Sequence, residues 1–231
     1  MKIEKILSVM TAGVLAACSI KTASIKVPEP LESSTVYQLI TQGEYWGLGM
    51  DGIFDLAGLY TGKYQRSASS SSYFDDFVTN KEGTMLAEVI NSKTGVSWIL
   101  SCHGGGTGVN IGNFSFGGDD PYVCEITNRS GNIVGSYSLT KSGGVIDFGP
   151  SGKVNGTLTL SEKTYEIESI HEMEGSFIPV DHPLGYYIKS QGKVVAAVQV
   201  NGRITLQSDE NDLDSYAIAT VASALSVRPE E

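Results

Sequence analysis

Basic charge is scarce in this 231-residue chain: 16 Lys and Arg stand against 26 Asp and Glu, for a net charge of −10. No Lys/Arg cluster offsets that balance locally. A nucleic-acid binder needs a basic face to neutralise phosphates, so that class is set aside. Histidine is also rare, with three in all, and none falls at the H-x-x-x-H or H-x-H spacing of a metal site. No apolar run reaches the ~18 residues of a membrane-spanning helix. No period of 20–50 residues repeats, which leaves solenoids and propellers unsupported.

What is present points to a folded domain. The chain is 41% hydrophobic with 27 Gly and 11 Tyr, which suits one globular domain, or two small ones, rich in β structure and turns.

The first residues, MKIEKILSVMTAGVLAAC, carry their own signal. Lys2 and Lys5 form a positive n-region, and Ile6 to Val14 form an apolar stretch of signal-peptide length. Leu15-Ala16-Ala17-Cys18 then resembles the bacterial lipobox, which implies a signal peptide over 1–17 and lipidation of Cys18. Palmitate and its companion acyl chains contribute ~0.8 kcal/mol per buried CH₂, enough for stable attachment. Ser19 follows the cysteine where an Asp would mark inner-membrane retention, so the resemblance implies the outer membrane of a Gram-negative bacterium. Removing 1–17 takes away Lys2, Lys5 and Glu4 and leaves a more acidic chain, so lipid and not charge does the anchoring. Residues 18–35, polar from Ile20 to Ser34, hold Pro28 and Pro30 and show no periodicity. They read as a lipidated tether ahead of a single domain at 36–231.

Cys102 and Cys124 remain after lipidation. In an oxidising envelope two thiols pair, and closing a loop of this size contributes on the order of 3 kcal/mol; the other reading is two separate buried thiols. The pair would staple the Gly-rich segment CHGGGTGVNIGNFSFGGDDPYVC.

From Val36 onward, short β-prone runs alternate with turn residues. Expected strands are 36–41, 45–50, 85–91, 97–102, 122–128, 133–140, 145–148, 155–160, 165–170, 185–189, 194–200 and 203–207. Asn201-Gly202 between two apolar runs predicts a tight hairpin. Its first arm, Val194 to Val200, is nearly continuously apolar and so covered on both faces in part. RSASSSS from Arg66 to Ser72 reads as a mobile loop or hairpin tip.

Near the end, Asp212 to Ser215 offers helix-capping residues. Residues 214–226 then run apolar or small on every side, as a wholly buried helix requires. About 12 residues span roughly 18 Å, too short for a bilayer but the height of a small barrel. The helix either threads a barrel or lies between a sheet and a loop.

The order YVCEITNRSGNIVGSYSLT (Tyr122 to Thr140), the hairpin Gly185–Gln207 and the terminal helix Asp214–Leu225 resembles the tubby-like group, which includes LURP-one-related proteins and phospholipid scramblases. The resemblance implies a closed antiparallel β-barrel of about twelve strands around a C-terminal hydrophobic helix. It does not extend to tubby's phosphoinositide site, because the basic residues here are scattered.

Catalytic signals are thin. His103-Gly104-Gly105-Gly106 matches an esterase oxyanion-hole motif, but no G-x-S-x-G elbow accompanies it. His171 and His182, with Glu172, Glu174 and Asp181, could be imagined round a metal and read better as solvated loop side chains. The segment Asp209 to Asp214 lacks the Gly and Glu of an EF-hand loop and reads as a turn plus helix cap. No catalytic, metal or cofactor site is assigned and no enzyme is expected. The expectation is an envelope lipoprotein with a structural or protein-interaction role, whose partners are the membrane, through Cys18, and an envelope protein. Aromatic pairs Tyr45-Trp46, Tyr73-Phe74 and Tyr186-Tyr187 are its candidate contact points. The alternative is a lipocalin-like carrier of a small apolar ligand or lipid, which requires an empty interior with 216–225 outside it.

Overall fold

In the computed structural model the chain is described over residues 24–43, 51–66, 85–103, 109–110, 113–114, 121–141 and 153–225. Its strands are β1 (Thr35–Gly43), β2 (Asp51–Leu56), β3 (Tyr60–Arg66), β4 (Met85–Asn91), β5 (Ser97–His103), β6 (Val109–Asn110), β7 (Asn113–Phe114), β8 (Tyr122–Asn128), β9 (Ile133–Lys141), β10 (Val154–Leu160), β11 (Lys163–Ile170), β12 (Gly185–Ser190), β13 (Lys193–Gln199) and β14 (Thr205–Ser208). Two helices accompany them, the short α1 (Glu29–Glu32) and α2 (Leu213–Leu225).

Twelve of these strands close an antiparallel barrel in chain order, β1 sealing it between β2 and β14. The path skips only β6 and β7, which pair with each other, so β5 lies directly beside β8. Residues alternate in and out with the period of two that a strand imposes. In β11, Tyr165 and Ile167 are buried while Glu166 and Glu168 are exposed.

Helix α2 fills the interior. Every residue from Ser215 to Leu225 is buried, and the helix touches β3, β4, β10, β13 and β14, which lie on different sides of the barrel. Ala217, Ala219, Ala222 and Ala224 keep it slim, and Tyr216, Ile218, Val221 and Leu225 fill the space left. Its buried hydroxyls are satisfied locally: Thr220 Oγ1 donates to the Tyr216 carbonyl at 2.7 Å and Ser223 Oγ to that of Ala219 at 2.7 Å. The expected barrel around a C-terminal helix is the architecture observed.

Two barrel strands were absent from the sequence expectation, β2 and β3, as was the short β6–β7 pair outside the barrel path. Strands β2 and β3 each carry a glycine, which reads as a turn residue, yet each glycine lies under an aromatic ring of the partner strand. Gly62 is paired with Phe54, and a Cβ on Gly62 would meet Phe54 Cζ at 2.6 Å. Gly52 is paired with Tyr64, and a Cβ there would meet the Tyr64 hydroxyl at 2.7 Å. The glycines leave room for rings. The expected strands 45–50 and 145–148 lie outside the described residues.

The Asn201-Gly202 hairpin forms with a longer loop than expected. A two-residue turn would oppose Val200 and Arg203, whereas Gln199 pairs with Thr205. A type I′ turn needs positive φ at both central residues; Gly202 has it at 63° and Asn201 does not. The loop is tied outward instead, through Val200 N–H to the Leu184 carbonyl at 2.9 Å.

Much of the expected tether is packed on the wall. Ile25 and Leu31 are buried with Ile170, Leu184 and Ala197 in a second, outer cluster, flanked by Val27, Met173 and Tyr187. Only three apolar side chains, at 25, 27 and 31, make the contact, too few and too irregular to show as a sequence period. This cover explains the first hairpin arm: Ala196, Ala197, Val198 and Gln199 are all buried, between α2 inside and residues 25–31 outside.

Candidate functional site

An up-and-down barrel sorts its connections between two ends, and here the sorting is uneven. At one end the connections are 57–59, 92–96, 129–132, 161–162, 191–192 and 209–212, none longer than five residues. The other end carries 44–50, 67–84, 104–121, 142–153, 171–184 and 200–204, so every long connection is there. Rigid scaffolds place binding residues on such loops.

The short-turn end is closed by carboxylates of the segment leading into α2. Asp212 Oδ2 accepts from the Tyr165 hydroxyl at 2.6 Å, Lys163 Nζ at 2.9 Å and Ser215 Oγ at 2.9 Å. Asp214 Oδ1 accepts from the Tyr60 hydroxyl at 2.7 Å and Asn91 Nδ2 at 2.8 Å. Glu210 Oε1 accepts from Tyr37 at 2.5 Å and Thr35 Oγ1 at 2.7 Å. Burial alone would raise the Asp212 pKa, but the bonds from Tyr165, Lys163 and Ser215 outweigh it and hold the carboxyl below its ordinary value. Glu210 is lowered by the bonds from Tyr37 and Thr35. Tyr60 and Tyr165 are pushed up, first by burial and then by the carboxylates they serve. These acids are already engaged as acceptors; of the turn-plus-cap reading of 209–214 the turn is observed, with the Asn211 N–H donating to Asp209 Oδ1 at 3.2 Å. Sequence reasoning missed their tyrosine partners, which lie far away in the chain.

The cysteines expected to pair do so. Cys102 and Cys124 form a disulfide, stand directly opposite each other on β5 and β8, and are fully buried. The bond closes the base of the one excursion the barrel path skips. Cys18 lies outside the described residues. His103 is exposed at the end of β5; Gly104 to Gly106 lie outside the described residues, as do Tyr45-Trp46 and Tyr73-Phe74.

His171 corrects one expectation. It is buried, not solvated, with Nε2 2.9 Å from Ser169 Oγ and Nδ1 2.8 Å from the Val180 carbonyl. His182 is exposed. No group of three His, Cys, Asp or Glu could hold a metal ion among the described residues. Tyr186 and Tyr187 serve packing on opposite faces: Tyr186 against the inner core, Tyr187 in the outer cluster with its hydroxyl donating to the Lys26 carbonyl at 2.5 Å. Burial pushes each phenol up to about 12.

His171 instead forms the neck of the 171–184 loop at the long-loop end. Val180 N–H donates back to the His171 carbonyl at 2.9 Å, and Leu184 N–H to that of Ile170 at 2.8 Å. The flank of the loop pairs with the start of the described chain: Glu174 N–H donates to the Ser24 carbonyl at 2.9 Å and Lys26 N–H to that of Glu172 at 3.0 Å. An ion pair between Lys26 and Glu172 at 2.7 Å adds to it. Beyond this frame Gly175 turns the chain with φ of 74°, and the tip exposes Phe177 fully and Ile178 at 75%. The apolar run Phe177-Ile178-Pro179-Val180, set between Gly175-Ser176 and Asp181-His182, is the sequence signal that could have found it. Compared with protein-family models, curated proteins and solved structures, the chain matches none of them.

Proposed function

We propose that this chain is a lipid-anchored protein of the bacterial cell envelope, held by acyl chains on Cys18, with a plugged barrel acting as a rigid structural or protein-interaction module. The observation that carries the module reading is the burial of α2 on every side. A filled interior leaves wall and loops for partners, and catalysis has no part in this reading. The carrier alternative needs that same space empty and the helix outside it. A closed twelve-stranded barrel with a terminal helix is consistent with the tubby-like resemblance as it is with barrel folds in general, and the resemblance brings no head-group site with it.

The anchor reading rests on the lipobox at 15–18, and the barrel wall is consistent with it. A barrel that spans lipid turns an apolar band outward and a polar lumen inward. Here Glu125, Glu166 and Glu168 are exposed on the outer face and the inner face is apolar. Such a barrel stands in water, and the membrane is met through Cys18, most simply the outer membrane given Ser19. The test is labelled palmitate incorporation followed by fractionation of a Gram-negative host. The full chain should carry label and sediment with outer membranes, and Cys18→Ser should lose both. Membrane association that survives Cys18→Ser without label would overturn the anchor.

A further inference from the structure

We infer that the tip of the 171–184 loop is a membrane-contact site: Phe177 and Ile178 enter the interfacial region of a phospholipid bilayer beside the lipid on Cys18, so that the long-loop end of the barrel faces the membrane. This inference rests on the anchor reading and adds an orientation to it.

Three observations converge. The first is reach. The described chain begins at Ser24, hydrogen-bonded to Glu174. Five residues lie between Cys18 and Ser24, and an extended chain spans at most ~3.3–3.6 Å per residue, so the acylated cysteine stays within roughly 22 Å of Ser24, the residue bonded to Glu174. From Ser24 the chain then runs along the wall to Thr35 at the opposite end, paired with Ser208. A lipid on Cys18 therefore pulls on the long-loop end.

The second is exposure at that place. Phe177 is the most exposed large apolar residue of the described chain, at 103%, and Ile178 follows at 75%. Both lie within four residues of Glu174, the residue that holds Ser24.

The third is that the tip is held out. Its neck is fixed by His171 and Val180, its flank by Ser24 and Lys26, and its turn by Ser176 Oγ, which accepts from the Ile178 N–H at 3.1 Å. Two apolar side chains are thus presented to the surroundings on an ordered frame and gain no burial from the fold. A bilayer interface offers that burial. Around the tip Glu172, Glu174 and Asp181 outnumber Lys26, which is paired with Glu172, so the neighbourhood is net acidic and the contact is apolar and insensitive to salt.

The test uses the full chain purified from a Gram-negative host, its N-terminal mass determined, and reconstituted on phosphatidylcholine vesicles with or without brominated acyl chains. Phe177→Trp introduces a fluorophore at the tip. Ile133→Trp introduces one at the short-turn end, where the native residue is 67% exposed. With acyl groups on Cys18 confirmed by mass, the emission added by Phe177→Trp should fall at least twofold on brominated lipid and shift to the blue, at low and high salt alike, while that added by Ile133→Trp should not change. Acylated protein with equal quenching at both positions, or none at either, overturns the orientation and leaves the anchor standing. A mass showing no acyl group on Cys18 overturns the anchor and this inference with it.

Discussion

The Tyr60 hydroxyl, at the start of β3, donates to Asp214 in the first turn of α2 at 2.7 Å, across 154 residues of chain. The barrel wall thus grips the central helix by its N-terminus. Asn91 Nδ2 from β4 reaches the same oxygen at 2.8 Å, and a carboxylate in the first helical turn is also favoured by the helix dipole. Asp214→Ala leaves both donors without their acceptor in a partly buried place and should cost about 1–3 kcal/mol in urea unfolding. In a double-mutant cycle with Tyr60→Phe the pair should couple by at least ~0.5 kcal/mol. Strict additivity would mean that the grip contributes nothing.

The same end should contribute to the acid limit of stability. Asp212 has a folded pKa below its ordinary 3.8, because the hydrogen bonds from Tyr165, Lys163 and Ser215 exceed the cost of burial. A carboxyl whose folded pKa is depressed contributes stability above its unfolded value and loses it as pH falls through the folded one. The urea midpoint should therefore hold steady down to about pH 5 and decline below about pH 4. Asp212→Asn should lower the midpoint at neutral pH and flatten that decline. An unchanged acid slope in the variant would assign it to other carboxyls. Tyrosines give the alkaline mirror image: Tyr60 and Tyr165, raised by burial, stabilise the fold below their unfolded value of 10.0 and lose that contribution as pH rises through their folded ones.

The disulfide should behave as a closed staple. Cys102 and Cys124 are both 0% exposed, so a thiol reductant meets them only when the barrel opens. In a Cys18→Ser background, native protein in reductant should show no free thiol over the hours in which the same protein in urea shows both. Replacing the pair by Cys102→Ser with Cys124→Ser should cost on the order of 3 kcal/mol, the chain-entropy value for a loop of that size. Rapid thiol release from the folded chain would place the bond at a locally opening edge.

How much of this was legible follows from the range of each signal. Alternation in Tyr165-Glu166-Ile167-Glu168 is local, and it gave β11 correctly; the all-round apolar run after Asp214 gave the buried helix in the same way. β2 and β3 were lost because Gly52 and Gly62 look like turn residues until the rings of Tyr64 and Phe54 are seen above them. The β13–β14 register was misjudged because Asn201-Gly202 matches a two-residue turn, whereas the tie from Val200 to Leu184 holds a wider one. Ile25, Val27 and Leu31 carry no period, and their burial depends on a patch made by Ile170, Leu184 and Ala197. The partners of Asp212, Asp214 and Glu210 are set only once the barrel closes. Local alternation and the buried run were readable, and the Cys102–Cys124 pair came from cysteine count and compartment; side-chain partners set by barrel closure were not readable.

The helix inside the barrel has the most to lose from added volume. Ala219 is fully buried at mid-helix, and α2 touches wall strands on several sides, so a larger side chain there has no free direction. Ala219→Leu should destabilise by about 1–3 kcal/mol or more, as overpacking does in close-packed interiors. Leu225→Ala, which opens a cavity instead, should cost about 2–5 kcal/mol. Amide exchange separates these losses from a merely frayed terminus. If α2 threads the barrel, amides from Tyr216 to Ala224 can open only when the wall does, and should exchange at the global unfolding rate. In both variants their protection should fall in step with that of the β9 and β10 amides. Exchange of the helix at its own faster rate, with the strands unaffected, would mean that α2 leaves while the barrel stays closed, and the interior would then be open to a ligand.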